Sequence, residues 1–213
     1  MAQVDSVYDF LRQNYAENEP IFLSEIRIPG IQGASVRQAL KKLTEDGRLG
    51  RFDTGIYYIP QKSMFRFGST PSYDEVIQKK YLLDDTGCCG YVGGILFANQ
   101  IGITSQVPLA YEISTNKATT DYRETRLANL RVILKKPYVP VNDQNAEILQ
   151  FLDLLKEVGD ISELDGEELT DRLLDYMRKK KIRFEMLEPY LPYYPERIYK
   201  NMYEVGLLKG VSI

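Results

Sequence analysis

The chain has 213 residues, a net charge of −3, ordinary apolar and charged fractions, no histidine and two cysteines. The length allows one large domain or two small ones. The charge balance excludes a globally basic nucleic-acid binder, and the lack of histidine removes the commonest general base and the commonest zinc ligand.

In chain order, residues 3–16 place Val4, Val7, Phe10, Leu11 and Tyr15 at helical spacing, and Asn18-Glu19-Pro20 breaks that helix. Residues 21–23 form a short extended run. Ser24 is placed to cap a short second helix over residues 25–28, and Pro29-Gly30 then turns the chain.

Residues 33–60, GASVRQALKKLTEDGRLGRFDTGIYYIP, carry the strongest pattern. Ser35 can cap a third helix, because its hydroxyl can accept from the free N–H groups of a first turn. Val36, Ala39, Leu40 and Leu43 share one face of it, leaving Arg37, Gln38, Lys41 and Lys42 outward. Gly47 can take the positive φ that ends it. Residues 48–52 and 55–59, parted by Asp53-Thr54-Gly55, read as a hairpin.

The order helix, short strand, helix, helix, hairpin predicts a winged helix-turn-helix. Residues 27–62 hold seven Lys or Arg against three acids, a local excess of +4 in an acidic chain. A basic helix followed by a basic hairpin suits DNA: the helix fits the major groove and the wing meets the backbone. In that reading Ser35, Arg37, Gln38, Lys41 and Lys42 face base edges or flanking phosphates. Arg48, Arg51 and Thr54 hold the sugar–phosphate chain. The alternative is that the same element docks a protein and its charges are a solvated face.

Residues 61–72 read as a short linker in which Phe65 and Phe67 dock on a neighbouring domain and Arg66 contacts phosphate or an acid. Ser72 caps a helix running to residue 82, and Asp84-Asp85-Thr86-Gly87 closes it. Residues 91–100 read as a buried helix in which Gly90, Gly93, Gly94 and Ala98 allow close packing, with Gly102 as its stop. This segment lacks the Lys-Ser/Thr of a Walker loop and the Gly-x-Gly-x-x-Gly fingerprint, so close packing rather than phosphate binding explains it. Cys88 and Cys89 are neighbours, which strains any bridge between them and points to two reduced thiols over a redox role.

Residues 109–114, 122–126 and 130–136 are predicted strands of a small antiparallel sheet packed on the two preceding helices. Residues 145–158 form an amphipathic helix ended by Gly159-Asp160. Another starts at Asp165-Gly166-Glu167-Glu168 and closes on Arg178-Lys179-Lys180-Lys181, charges that complement the helix dipole and read as a solvated helix end rather than a second nucleic-acid patch. A final helix covers residues 195–205, after a stiff run of Pro189, Pro192 and Pro195 among Tyr190, Tyr193 and Tyr194.

The fold class expected is therefore α+β. Residues 1–62 make the winged helix-turn-helix, residues 63–141 a mixed domain and residues 142–213 a helical region able to pack with it as one domain. No catalytic residue, metal ligand or cofactor site is expected. Asp84-Asp85 is explained by capping and turn formation. No apolar run approaches the roughly 20 residues of a membrane span, and no signal-peptide pattern opens the chain, so the cytoplasm is the expected compartment.

The stretch CGYVGGILFANQIGITSQVPLAYEISTNKA, with RLANLRVILKKP after it and the DNA-binding pattern before it, resembles the antitoxin of the AbiE-type abortive-infection system, a type IV toxin–antitoxin family. The resemblance covers roughly residues 1–140. It implies an N-terminal winged helix that represses its own promoter and a C-terminal domain opposing a nucleotidyltransferase-like toxin, with no catalytic site in the antitoxin. Direct contact with the toxin is not part of that expectation. The partner it implies is double-stranded promoter DNA, and inverted-repeat operators would seat two copies on it.

Overall fold

The structure, a computed structural model, describes residues 2–61 and 69–208. The expectations for Phe65, Arg66 and Phe67 lie outside the described residues. The chain divides into two compact units, Met1–Lys80 and Tyr81–Ile213, and is mixed α+β throughout.

The first unit holds α1 (Ala2–Asn14), β1 (Ile21–Phe22), α2 (Gly33–Glu45), β2 (Gly50–Asp53), β3 (Ile56–Tyr58) and α3 (Tyr73–Ile77). Val7 and Leu11 of α1 meet Val36, Ala39, Leu40 and Leu43 of α2 in a core closed by Ile21, Ile26, Leu49 and Ile59. The α2 face read from the sequence is thus the face that is buried. The helix ends as Gly47 predicts: Gly47 takes φ 71°, its N–H bonds Thr44 O at 3.1 Å and Arg48 N–H bonds Leu43 O at 2.9 Å. That pair of bonds is a Schellman motif, which satisfies two carbonyls the helix leaves open. The strands form one antiparallel sheet in the order β1-β3-β2, so the hairpin gains β1 as a third strand. A Cβ at Gly50 would collide with the hydroxyl end of the Tyr58 ring, which lies across it.

Two expectations for this unit are corrected. Residues 25–28 are not helical: a turn covers residues 23–25 and the chain then runs irregularly to Pro29. The proline disfavours helical backbone at Ile28, leaving too few residues for a helix. Ser35 is not the cap of α2 either. The helix begins two residues earlier, with Gln32 at its N-cap and no side chain satisfying its first turn. Ile31 packs on the core, so the helical path opens directly behind it.

Ser72 does cap α3, in a reciprocal capping box with Glu75. The predicted continuation to residue 82 is a π-helical turn, Gln78–Leu82, rather than more α-helix.

The second unit holds a small hairpin of β4 (Leu83–Asp84) and β5 (Gly87–Cys88), then β6 (Gly90–Gly93), α4 (Gly94–Ile101), β7 (Tyr111–Thr115), β8 (Tyr122–Leu127) and β9 (Leu130–Lys135). The helices α5 (Ala146–Ile161), α6 (Gly166–Lys180), α7 (Phe184–Leu187) and α8 (Arg197–Glu204) follow. The sheet order is β6-β7-β9-β8. Its pairings are antiparallel except β7 with β9, which run parallel; the β8–β9 hairpin turns back so that β9 lies beside β7. Phe97 of α4 and Ile148, Leu149, Phe151, Leu152 and Leu155 of α5 share one core with Leu173 of α6 and Ile198 and Met202 of α8. The sheet is covered by α4 and by α5, so one of its two helices follows it in sequence rather than preceding it.

Residues 91–93 correct another expectation, since they form the strand β6 and not the start of a helix. At Gly90 a Cβ would stand 2.7 Å from Ser114 O and 2.8 Å from Tyr81 O. The glycine serves close approach of backbones, as read, but those of the strand β7 and the π-helical turn. Gly102 ends α4 in the left-handed conformation, as expected. Helix α5 continues through Gly159 to Ile161.

Candidate nucleic-acid interface

Burying Val36, Ala39, Leu40 and Leu43 obliges α2 to turn Arg37, Gln38, Lys41 and Lys42 to the surface, where all four are exposed. Lys41 faces Glu45 at 3.8 Å, an i,i+4 pair with both side chains mostly in solvent and therefore weak. Arg37, Gln38 and Lys42 make no side-chain hydrogen bond or ion pair among the described residues.

Arg37 lines an open groove of about 500 Å³ together with Arg27, Thr54 and Lys80. Its floor is apolar, built from Phe22, Leu23, Ile26, Val36 and Ile56. The groove exists because residues 23–28 are a turn and loop instead of a helix, which sets Arg27 beside the start of α2. Arg27 is held by a hydrogen bond from Nη1 to Ile26 O at 3.0 Å. The sequence pattern singles out neither Arg27 nor Lys80 as a site residue. The only signal is the local charge excess in which Arg27 counts.

At the hairpin tip, Arg51 is exposed and folds back over its own turn. Its Nε donates to Asp53 O at 3.3 Å and its Nη2 to Thr54 Oγ1 at 3.2 Å. The Thr54 N–H donates to Asp53 Oδ1 at 2.6 Å. Arg51 and Thr54 therefore come together, and Thr54 joins Arg37 at the groove.

Arg48 does not. Its Nη1 donates to Asp5 Oδ1 at 2.7 Å and its guanidinium lies 4.0 Å from the centre of the Tyr8 ring. The hydrogen bond to Asp5 holds the guanidinium even more firmly protonated than usual. Arg48 ties the entry of the hairpin to α1. Ser35, half-buried in the first turn of α2, is a helix residue of the same end.

In the second unit Asp84 accepts from Thr86 N–H at 2.8 Å and Thr86 Oγ1 at 2.6 Å. Those bonds hold its carboxyl below the ordinary range and are the turn-forming role read from the sequence. Cys88 and Cys89 are free thiols whose sulfurs face different carbonyls, Gly90 O at 3.3 Å and Tyr81 O at 3.6 Å. Burial pushes the Cys89 thiol up, which makes it less reactive. Among the described residues no group of three or more acids or cysteines is placed to hold a metal, and no helix is long and apolar enough to cross a membrane.

No family model matches the chain, and no curated protein matches it.

Proposed function

We propose that the first unit is a winged helix and that the chain is a DNA-binding autorepressor and antitoxin of a type IV, abortive-infection toxin–antitoxin pair, opposing a nucleotidyltransferase-like toxin. The observation that carries the DNA-binding half is the common groove: Arg37 from the helix and Thr54 from the hairpin, with Arg27 beside them, converge on one open face. The antitoxin half rests on the sequence resemblance alone.

In this reading α2 enters the major groove. Gln38 presents an amide able to pair with the N6 and N7 edge of adenine, and Arg37 a fork able to pair with guanine or a phosphate. Lys41 and Lys42, one turn along the same helix, approach the flanking backbone. Arg51 and Thr54 meet the sugar–phosphate chain at the hairpin tip. Charge contacts supply most of the affinity, so binding weakens steeply with salt.

The test is a gel shift with the DNA upstream of the chain's own reading frame at low and moderate salt. Retardation that is lost in the Arg37→Ala variant supports the reading. No retardation at either salt overturns the DNA-binding half. For the antitoxin half, co-expression with a neighbour-encoded nucleotidyltransferase-like protein should restore growth, and unrelieved growth arrest would overturn it.

The apolar floor of the groove favours a second reading. Five apolar side chains under a basic rim also suit an acidic amphipathic helix of a partner protein. Co-purification of such a partner without any DNA shift would select it.

A further inference from the structure

The second unit carries a cleft of about 530 Å³ between the end of α4 and the side of α6. Phe97, Gln100 and Gly102 of the α4 end, Gln150 of α5, and Arg172, Asp175, Tyr176, Lys179 and Lys180 of α6 surround it. Its charge resolves into pairs and a remainder. Asp175 is held by Arg178 at 2.7 Å and Lys180 by Glu147 at 2.6 Å. Arg172 and Lys179 have no ion pair among the described residues. The cleft therefore presents two uncompensated cations over a wall with amide groups.

The helix dipole accounts for only part of this. Lys179 and Lys180 stand in the last turn of α6, where cations are favourable in any case. Arg172 stands in the middle of the helix, where the dipole gives it no reason to be. Its guanidinium lies against Gly102, within 3.6–3.8 Å of where a Cβ would be. The α4 stop thus leaves a bare backbone surface on which the planar group rests. Arg172 and Lys179 are seven residues apart, about 10 Å along the axis, yet they line one cleft. Two long side chains so spaced close on an extended anion with several charged groups, not on one small ion. The Gln150 amide is oriented by its Nε2 bond to Val92 O at 2.8 Å, and Gln100 is exposed at the rim.

We propose that this cleft binds a phosphate chain, as a free polyphosphate or as the di- or triphosphate of a nucleotide, with Arg172 and Lys179 as its charge clamp. The size fits: ligand clefts of this kind run from about 300 to 1,000 Å³. The proposal concerns the second unit and does not depend on whether the first unit binds DNA.

The experiment is isothermal titration calorimetry of the full chain at low salt with inorganic phosphate, pyrophosphate and ATP as separate probes. Pyrophosphate should bind about tenfold or more tightly than inorganic phosphate, as two charge-assisted contacts replace one. Equal binding of ATP and pyrophosphate would identify the phosphate chain as the whole ligand, and tighter ATP would identify a nucleotide; both support the cleft. The Arg172→Gln/Lys179→Gln double variant should lose about tenfold or more. Lys181→Gln removes one charge from the end of the same helix outside the cleft and should bind like the parent. Arg37→Ala, in the basic groove of the first unit, should also leave binding intact. Circular dichroism of each variant separates lost binding from lost fold. No binding of pyrophosphate at millimolar concentration overturns the proposal. Equal loss in Lys181→Gln, or loss that follows Arg37→Ala, overturns it as well.

Discussion

Arg48 and Asp5 lie 43 positions apart in sequence and meet at 2.7 Å, with Tyr8 beneath the guanidinium. A cation that local charge counting assigns to DNA is thereby committed to holding α1 on the base of the hairpin. Arg48→Ala should lower stability by about 1 kcal/mol, since the pair is half exposed and the ring contact adds a comparable amount. It should change DNA affinity far less than Arg37→Ala does. Thermal denaturation and a gel shift on the same variants check both parts. A large loss of DNA binding in a normally stable Arg48→Ala protein would return Arg48 to the interface.

Arg51 and Gln38 should separate in kind. Arg51→Ala is expected to weaken binding to all sequences alike and to lower the slope of log affinity against log salt by about one. Gln38→Ala should leave that slope unchanged and relax preference at one base position. Competition gel shifts with point-substituted promoter fragments read the difference. Equal retardation of every fragment by both variants and the parent would remove these residues from the interface.

Much of the first unit is legible in the sequence because its signals are local. The Gly47 helix stop, the apolar face of α2 and the Ser72–Glu75 capping box each depend on residues within one or two turns. The turn over residues 23–25 misleads because Ser24 looks like a cap, and Pro29 outweighs it from downstream. The groove that this turn opens has no local signature, and Arg27 and Lys80 escape notice with it. In the second unit, glycines at 90 and 94 announce close packing, whereas a Cβ at Gly93 would meet nothing within 4 Å; that a strand and not a helix approaches Gly90 is decided by β7, about twenty residues on. The parallel step between β7 and β9 leaves no trace in either strand's own pattern.

Alkaline pH should loosen the second unit. Tyr91 Oη donates to Asp153 Oδ2 at 2.8 Å, and Ser114 donates to the same oxygen at 3.0 Å. Burial first, and then the Asp153 charge, raises the Tyr91 hydroxyl well above its ordinary value of 10.0. Tyr176 and Tyr194 are raised in the same direction, also chiefly by burial. For Lys156, burial opposes the charge, but Asp153 and Glu157 outweigh it and the group is raised. A group raised in the fold holds its proton more tightly there than when unfolded. Its stabilisation is therefore complete below the unfolded value and is lost as pH rises through about 10 and beyond. Urea denaturation between pH 8 and about pH 11 should show this fall, and Tyr91→Phe should make it shallower. A flat profile, or an unchanged slope in Tyr91→Phe, would contradict the assignment.

Gly94 should tolerate no side chain. Its φ is +60°, and a Cβ would stand 2.6 Å from the Glu112 carboxyl group, which itself pairs with Lys135. Gly94→Ala should cost about 1–3 kcal/mol from the backbone alone, with more from displacing Glu112. Loss of less than about 0.5 kcal/mol in denaturant unfolding, the range of an ordinary surface change, would show that the junction of β6 and α4 is freely remodelled.

The Tyr58 ring lying across Gly50 couples two positions that no stability term treats singly. Any side chain at position 50 evicts the ring, and any smaller residue at position 58 uncovers the glycine. Neither position can drift alone without passing through a weakened hairpin. A joint exchange, such as Gly50→Ser together with Tyr58→Thr, should cost less than Gly50→Ser alone. Descendants of this chain should therefore inherit the two positions as one character, changed jointly or not at all.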